Sequence, residues 1–88
     1  RVSIDHGVRV VAINPGPIET DRLVTLQRYA AEKKFGDPER WRELTRDMPA
    51  GRPGTSEECA DVVAFLASGR ASWVNGVVVQ VDGGAFLR

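Results

Sequence analysis

"VRVVAINPGPIET", Val8 to Thr20, decides the fold. Its first six residues, Val8-Arg9-Val10-Val11-Ala12-Ile13, are β-branched and mostly apolar, with no alternation. That pattern suits a strand buried on both faces of a parallel sheet. Asn14-Pro15-Gly16-Pro17 is expected to stop the strand, because two prolines in four residues cannot continue a ladder. A second run of the same character, Val77-Val78-Val79-Gln80-Val81, follows Asn75-Gly76 and ends at Asp82-Gly83-Gly84.

Helical signals surround these two strands. Arg1 to His6 reads as the last turn of a helix, with Gly7 in the left-handed position that ends one. Thr20 or Asp21 caps a helix through Leu23, Leu26, Tyr29 and Ala30 to about Lys34, and Gly36 closes it. Asp37-Pro38 starts another, carrying Trp41, Leu44 and Met48, and Pro49 ends it. Thr55-Ser56-Glu57-Glu58 is a capping box, followed by Cys59, Val62, Val63 and Leu66 on one helical face and a stop at Ser68-Gly69.

Strand, helical crossover and strand make a βαβ unit, right-handed, with its two strands parallel neighbours. The fold class is α/β: two parallel strands with lid helices and one crossover helix, the end of a doubly wound parallel sheet. These helices cannot cover both faces of two strands, so at least one sheet edge is expected to lack its partner.

Composition excludes several functions. The 88 residues carry 12 basic and 12 acidic side chains, with pI near 6.8. That balance offers neither a nucleic-acid footprint nor a patch for an anionic membrane. One cysteine allows no internal disulfide framework and no cysteine-rich metal site. The longest apolar runs are far too short to span a bilayer, and no secretory signal opens the chain. A cytoplasmic protein is expected. The first residue is Arg1, not methionine, so the chain is expected to be processed, cleaved or taken from the middle of something longer.

The Pro-Gly stretch is where chemistry is expected. Ligands of open α/β sheets bind in the crevice beyond the carboxyl ends of the strands. Pro15-Gly16 turns the chain sharply there and removes side-chain bulk. Ile18 can offer its backbone amide and carbonyl to an amide-bearing ligand, and Thr20 its hydroxyl. The same residues also fit an ordinary strand-to-helix turn in which Thr20 is only an N-cap.

"GVRVVAINPGPIETD" and "GRPGTSEECADVVAFLASGRASWVNGVVVQVDGG" together resemble the C-terminal third of short-chain dehydrogenases/reductases. Carrier-protein ketoacyl reductases and simple alcohol dehydrogenases of that family look similar. Thr25 to Met48 is idiosyncratic, where the family varies its substrate lid. The resemblance implies the C-terminal segment of a single Rossmann-like domain, with residues 19–50 as the lid insert. It implies hydride transfer between NAD or NADP and a small-molecule carbonyl or alcohol. Pro15, Gly16, Pro17, Ile18 and Thr20 match the family's nicotinamide-side positions. Gly83-Gly84 match the end of its last strand, which with the helix over 55–68 implies a homo-oligomer, dimer or tetramer. Leu23, Leu26 and Gln27 are candidates to line a substrate pocket under the lid.

Tyr29 and Lys33 have the spacing of the family's catalytic tyrosine and lysine, four residues apart on one helix. They follow Pro15-Gly16, whereas the family's pair precedes that turn. Tyr29 is therefore expected to line the lid or pack beneath it, and Lys33 to be solvated near the helix end. The resemblance also places the glycine-rich pyrophosphate turn and the catalytic serine outside these residues. No catalytic residue and no metal ligand is expected in the segment, and alone it is expected to be inactive and to bind no NAD(P). His6 is expected to serve a helix end, Cys59 to be a buried inert thiol, and Trp41 and Trp73 to pack. The other reading is a non-catalytic remnant or interaction module existing as its own chain.

Overall fold

The structure is a computed structural model that describes residues 2–87. Its elements run α1 (Val2–Asp5), β1 (Val11–Pro15), α2 (Asp21–Phe35), a 3₁₀ turn (Pro38–Arg40), α3 (Trp41–Thr45), α4 (Ser56–Ala67) and β2 (Val77–Val81), with short 3₁₀ turns at Gly69–Ala71 and Ala85–Leu87. The expected end of α1 is present, with Gly7 at φ 70°. The part of that expectation that falls on Arg1 lies outside the described residues.

β1 and β2 pair in parallel, with Val11 opposite Val77 and Pro15 opposite Val81. The strand is shifted from the sequence expectation. Val8 to Val10 precede the ladder, and Asn14 and Pro15 lie within it. Proline is tolerated because the ladder steps over it. The Gly16 amide donates to the Val81 carbonyl at 3.0 Å, and the donor that Pro15 lacks would point away from β2. Val8 to Val10 are fastened differently. The Val10 amide donates to Asn75 Oδ1, and the Gly76 amide donates to the Val10 carbonyl.

α4 starts as its sequence dictates. Thr55 Oγ1 accepts the Glu58 amide, and the Glu58 carboxylate accepts the Thr55 amide. Its other end is held by Arg9. That guanidinium donates to the carbonyls of Leu66, Ser68 and Val74, just before β1 begins. A cation is favoured there because the last carbonyls of a helix lack partners and carry its negative end. The clamp sets α4 against the face of β1 that carries Val11, Ile13 and Pro15. The opposite sheet face, with Ala12, Asn14, Val78 and Gln80, is open, and Asn14 Nδ2 donates to Gln80 Oε1 across it.

α2, the following 3₁₀ turn and α3 pack on one another around Ala31, Trp41 and Thr45. α2 is capped as expected, by Thr20 at its start and by left-handed Gly36 at its end. The second helical stretch is not one helix. Asp37 caps a 3₁₀ turn, α3 lasts five residues, and both are held by Arg28–Glu39 and Arg40–Glu43 ion pairs. Trp41 is buried as expected. Trp73 is 96% exposed, against expectation, because it sits in the loop before β2 with nothing folded over it. Cys59 is half-buried rather than enclosed, since α4 covers only one side of the sheet.

The described chain is extended, 58 × 23 × 19 Å, with a radius of gyration of 17.2 Å. A compact domain of this length would have about 12 Å. The accessible area of 6519 Å² likewise exceeds the roughly 5,100 Å² of a compact 9.6 kDa globule. Its sheet faces and edges are therefore not self-covered.

Two measurements follow from this architecture. A Cβ at Gly16 would lie 2.3 Å from Asp82 Cβ and 2.7 Å from its Cα. Gly16→Ala must push two backbones apart, and is expected to cost about 3 kcal/mol or more in urea unfolding, the upper end for overpacking. A loss below about 0.5 kcal/mol would show that the turn relaxes freely. The second concerns acid. Hydrogen bonds from Arg52 and from the Thr55 amide hold the Glu58 carboxyl down to about 2, below its ordinary value. A depressed carboxylate stabilises the fold above its unfolded pKa, and that stability fades as pH falls from about 4.5 towards 2. Glu58→Gln, which can keep the capping geometry, is expected to flatten this acid limb in thermal melts; an unchanged limb would assign it to other groups.

Candidate functional site

Beyond the carboxyl end of β1 the chain turns through Gly16 and Pro17 and pairs once more before α2 begins. Ile18 forms an isolated parallel bridge with Gly54. The Glu19 amide donates to the Gly54 carbonyl at 2.7 Å, and the Gly54 amide donates to the Pro17 carbonyl at 2.8 Å. The segments that lead into and out of the helical insert are thus joined at its base. Gly54 suits this place, since a Cβ there would meet Ile18 Cδ1 at 3.1 Å.

The bridge has a consequence for Ile18. In this pairing the flanking residues supply the bonds, so Ile18's own N–H and C=O point away from Gly54. Neither takes a hydrogen bond among the described residues. They present a donor and an acceptor at peptide spacing, the complement of a primary carboxamide. Thr20 caps α2, its Oγ1 accepting the Leu23 amide at 3.2 Å. A hydroxyl that accepts this way keeps its proton free to donate. Capping and ligand contact are therefore compatible at Thr20.

These groups border one open cleft of about 420 Å³. Pro15, Gly16, Pro17, Ile18 and Thr20 line one side of it. Leu23, Leu26 and Gln27, from the first two turns of α2, line the other. All eight residues singled out in the sequence border this cavity. The walls are largely apolar, and Arg22 is the one ionisable side chain among them. Sequence reading passed over Arg22, because its place on the cleft depends on how α2 leaves the turn.

Tyr29 is not part of the cleft. It is 64% exposed, against the expectation that it lines or underpins the insert. Lys33 Nζ lies 5.3 Å from its ring centroid, a cation–π contact on the helix surface. His6 is exposed. Cys59 borders a different groove of about 560 Å³ with Pro15, Ile18 and Val63, on the α4 side. Among the described residues, no group of three or more His, Cys, Asp or Glu could hold a metal ion, and no helix is long and apolar enough to cross a membrane.

Comparison with known proteins gives this arrangement its context. A family model described as enoyl-(acyl carrier protein) reductase matches residues 3–85. Galactitol 2-dehydrogenase of Rhizobium johnstonii is 42% identical over 79 residues, 90% of this chain and 28% of that protein. Cyclohexanol dehydrogenase of a Rhodococcus species is 40% identical over 78 residues, 89% of this chain and 26% of that protein. L-sorbose reductase of Gluconobacter frateurii, solved with NADPH and L-sorbose, superposes with a TM-score of 0.82 at 29% identity. That match covers 99% of this chain and 34% of that one. The two parallel strands and their helices are thus a Rossmann-like α/β arrangement, and the chain belongs to the short-chain dehydrogenase/reductase family. It spans about a third or less of the length of these relatives.

Because Thr20 caps α2, Thr20→Val is expected to cost about 1 kcal/mol in stability and Thr20→Ser much less. Paired denaturant titrations read the difference; equal losses would mean that the cap is not what Thr20 contributes.

Proposed function

We propose that these residues are the C-terminal segment of an NAD(P)-dependent oxidoreductase that moves hydride between a nicotinamide cofactor and a small carbonyl or alcohol substrate. The observation that carries the reading is the cleft at the carboxyl end of β1, where Ile18, with its N–H and C=O unpaired, and Thr20, whose capping hydroxyl can still donate, stand beside apolar walls. The names of the relatives, alcohol dehydrogenases and an NADPH-complexed reductase, support it.

The residues fit a nicotinamide. Its carboxamide would take the Ile18 amide and carbonyl, with Thr20 donating a further bond, and Pro15 and Pro17 would lie against the flat ring. When bound, the nicotinamide supplies or accepts the hydride. This chain's own groups would hold the carboxamide, and the apolar walls would limit water on that side. Leu23, Leu26 and Gln27 would border the substrate, with residues 19–50 as its lid. We place the proton donor outside these residues, a reading supported by the cleft lining, where Arg22 is the one ionisable side chain. α4 and β2 would contribute to a homo-oligomer interface; Val63, Phe65, Val77 and Val78 are exposed on them.

In the full-length protein, Thr20→Val is expected to weaken NAD(P)H binding about tenfold, the value of one hydrogen bond. Fluorescence titration measures it, and wild-type protein that binds neither dinucleotide would refute the proposal. Tyr29→Phe is expected to change kcat less than about threefold, against the ~10²–10⁴-fold loss on removing a general acid. A loss in that larger range would place Tyr29 in the chemistry.

A further inference from the structure

We infer that Arg22 is a specificity-determining residue of the cleft, holding an anionic oxygen group (carboxylate or phosphate) of the bound ligand. The inference rests on the cleft being a ligand site, and adds to that reading the charge of what the site accepts.

Five other arginines are accounted for by the fold, and two more, Arg46 and Arg70, do not line the cleft. Arg9 holds three carbonyls, Arg28 pairs with Glu39, Arg40 with Glu43, Arg42 with Glu19, and Arg52 with Glu58. Arg22 makes no hydrogen bond or ion pair among the described residues, and it borders the cleft. Its position gives it no folding role. It occupies the first turn of α2, where the helix dipole opposes a cation and favours the neighbouring Asp21. Glu19, on the turn before α2, is engaged by Arg42 at 3.1 Å. Asp21 is adjacent in sequence but does not line the cleft.

The rest of the cleft is uncharged, and beyond Arg22 stand Leu23 and Leu26. A guanidinium at the rim of apolar walls selects a ligand with an anionic end and an apolar body, through paired N–H···O bonds that lysine matches poorly. Two sources offer such an oxygen, a carboxylate on the substrate side or the phosphates of the dinucleotide. The chemistry at Arg22 is the same for both.

The test uses the full-length protein and two probes of equal shape, hexanoate and hexanamide, titrated by calorimetry with and without saturating NADPH; NADPH affinity is measured separately. Wild type is expected to prefer hexanoate about tenfold, Arg22→Gln to lose that preference, and Arg22→Lys to keep part of it. That result assigns the anion to the substrate side. A roughly tenfold loss of NADPH affinity in Arg22→Gln, without a hexanoate preference in wild type, supports the anionic contact and assigns it to the cofactor's phosphates. If Arg22→Gln moves neither quantity, the inference is overturned. Failure of wild type to bind either NADH or NADPH would instead refute the proposed function, and the hexanoate comparison without cofactor still decides the role of Arg22.

Discussion

The close approach of Gly16 to Asp82 is the constraint on which the site depends. The two strands end side by side, and Gly16 passes Asp82 with no space for a methyl group. Asp82 is itself fixed, since its carboxylate accepts the amides of Gly84 and Phe86. With that crossing set, the chain reaches Ile18 in register to bridge Gly54. The bridge turns Ile18's own polar groups outward and fixes where α2 departs. A displacement at Gly16 would therefore reach the cleft through the backbone, without any change to a cleft side chain.

The structure divides its stability unevenly. The helical insert has an enclosed centre, small as it is, in Ala31, Trp41 and Thr45, the last with its hydroxyl donating to the Arg42 carbonyl. Its surface ion pairs are largely exposed, and pairs of that kind are worth ~0–1 kcal/mol each. Packing of the aromatic and small residues therefore holds it more than charge does. Guanidinium groups add to this over rings, with Arg40 at 3.9 Å from the Phe35 centroid and Arg42 at 4.2 Å from that of Trp41. The βαβ unit has the opposite character: well-formed hydrogen bonds, but apolar faces still open.

Much of this was legible in the sequence, for reasons particular residues make plain. Capping is local, so Thr20, Gly36, Asp37 and the Thr55/Glu58 box could be read directly. The valine run at 77–81 admits only one periodicity, and its strand has those limits. β1 was misjudged at both ends because its limits are set by β2, not by its own composition. Val8 to Val10 look like strand but precede it, and Val10 bonds Asn75 and Gly76, ahead of β2. Pro15 looks like a stop but faces β2 with the side that needs no donor. Trp73 and Cys59 were misplaced because aromatic and thiol burial depends on surfaces this chain does not itself bring together. The eight cleft residues were found through a resemblance joined to the rule about strand ends, whereas Arg22 required the three-dimensional path of α2.

Tyr29 and Lys33 separate motif from site. The local geometry that the spacing implies is real, for the ammonium does sit near the ring. Proton transfer needs more than a tyrosine beside a cation. The hydroxyl must also reach the atom whose proton moves, within about 3 Å in a productive complex. Here the pair lies beyond the cleft on an exposed helix surface, while the cleft's polar groups gather at Ile18 and Thr20, at the end of β1. A spacing of four residues is fixed by any helix; which cavity the pair faces is fixed by where that helix sits in the order of strands. It is the second condition that carries chemistry, and in the proposed function the turn after β1 meets it while the lysine-paired tyrosine does not.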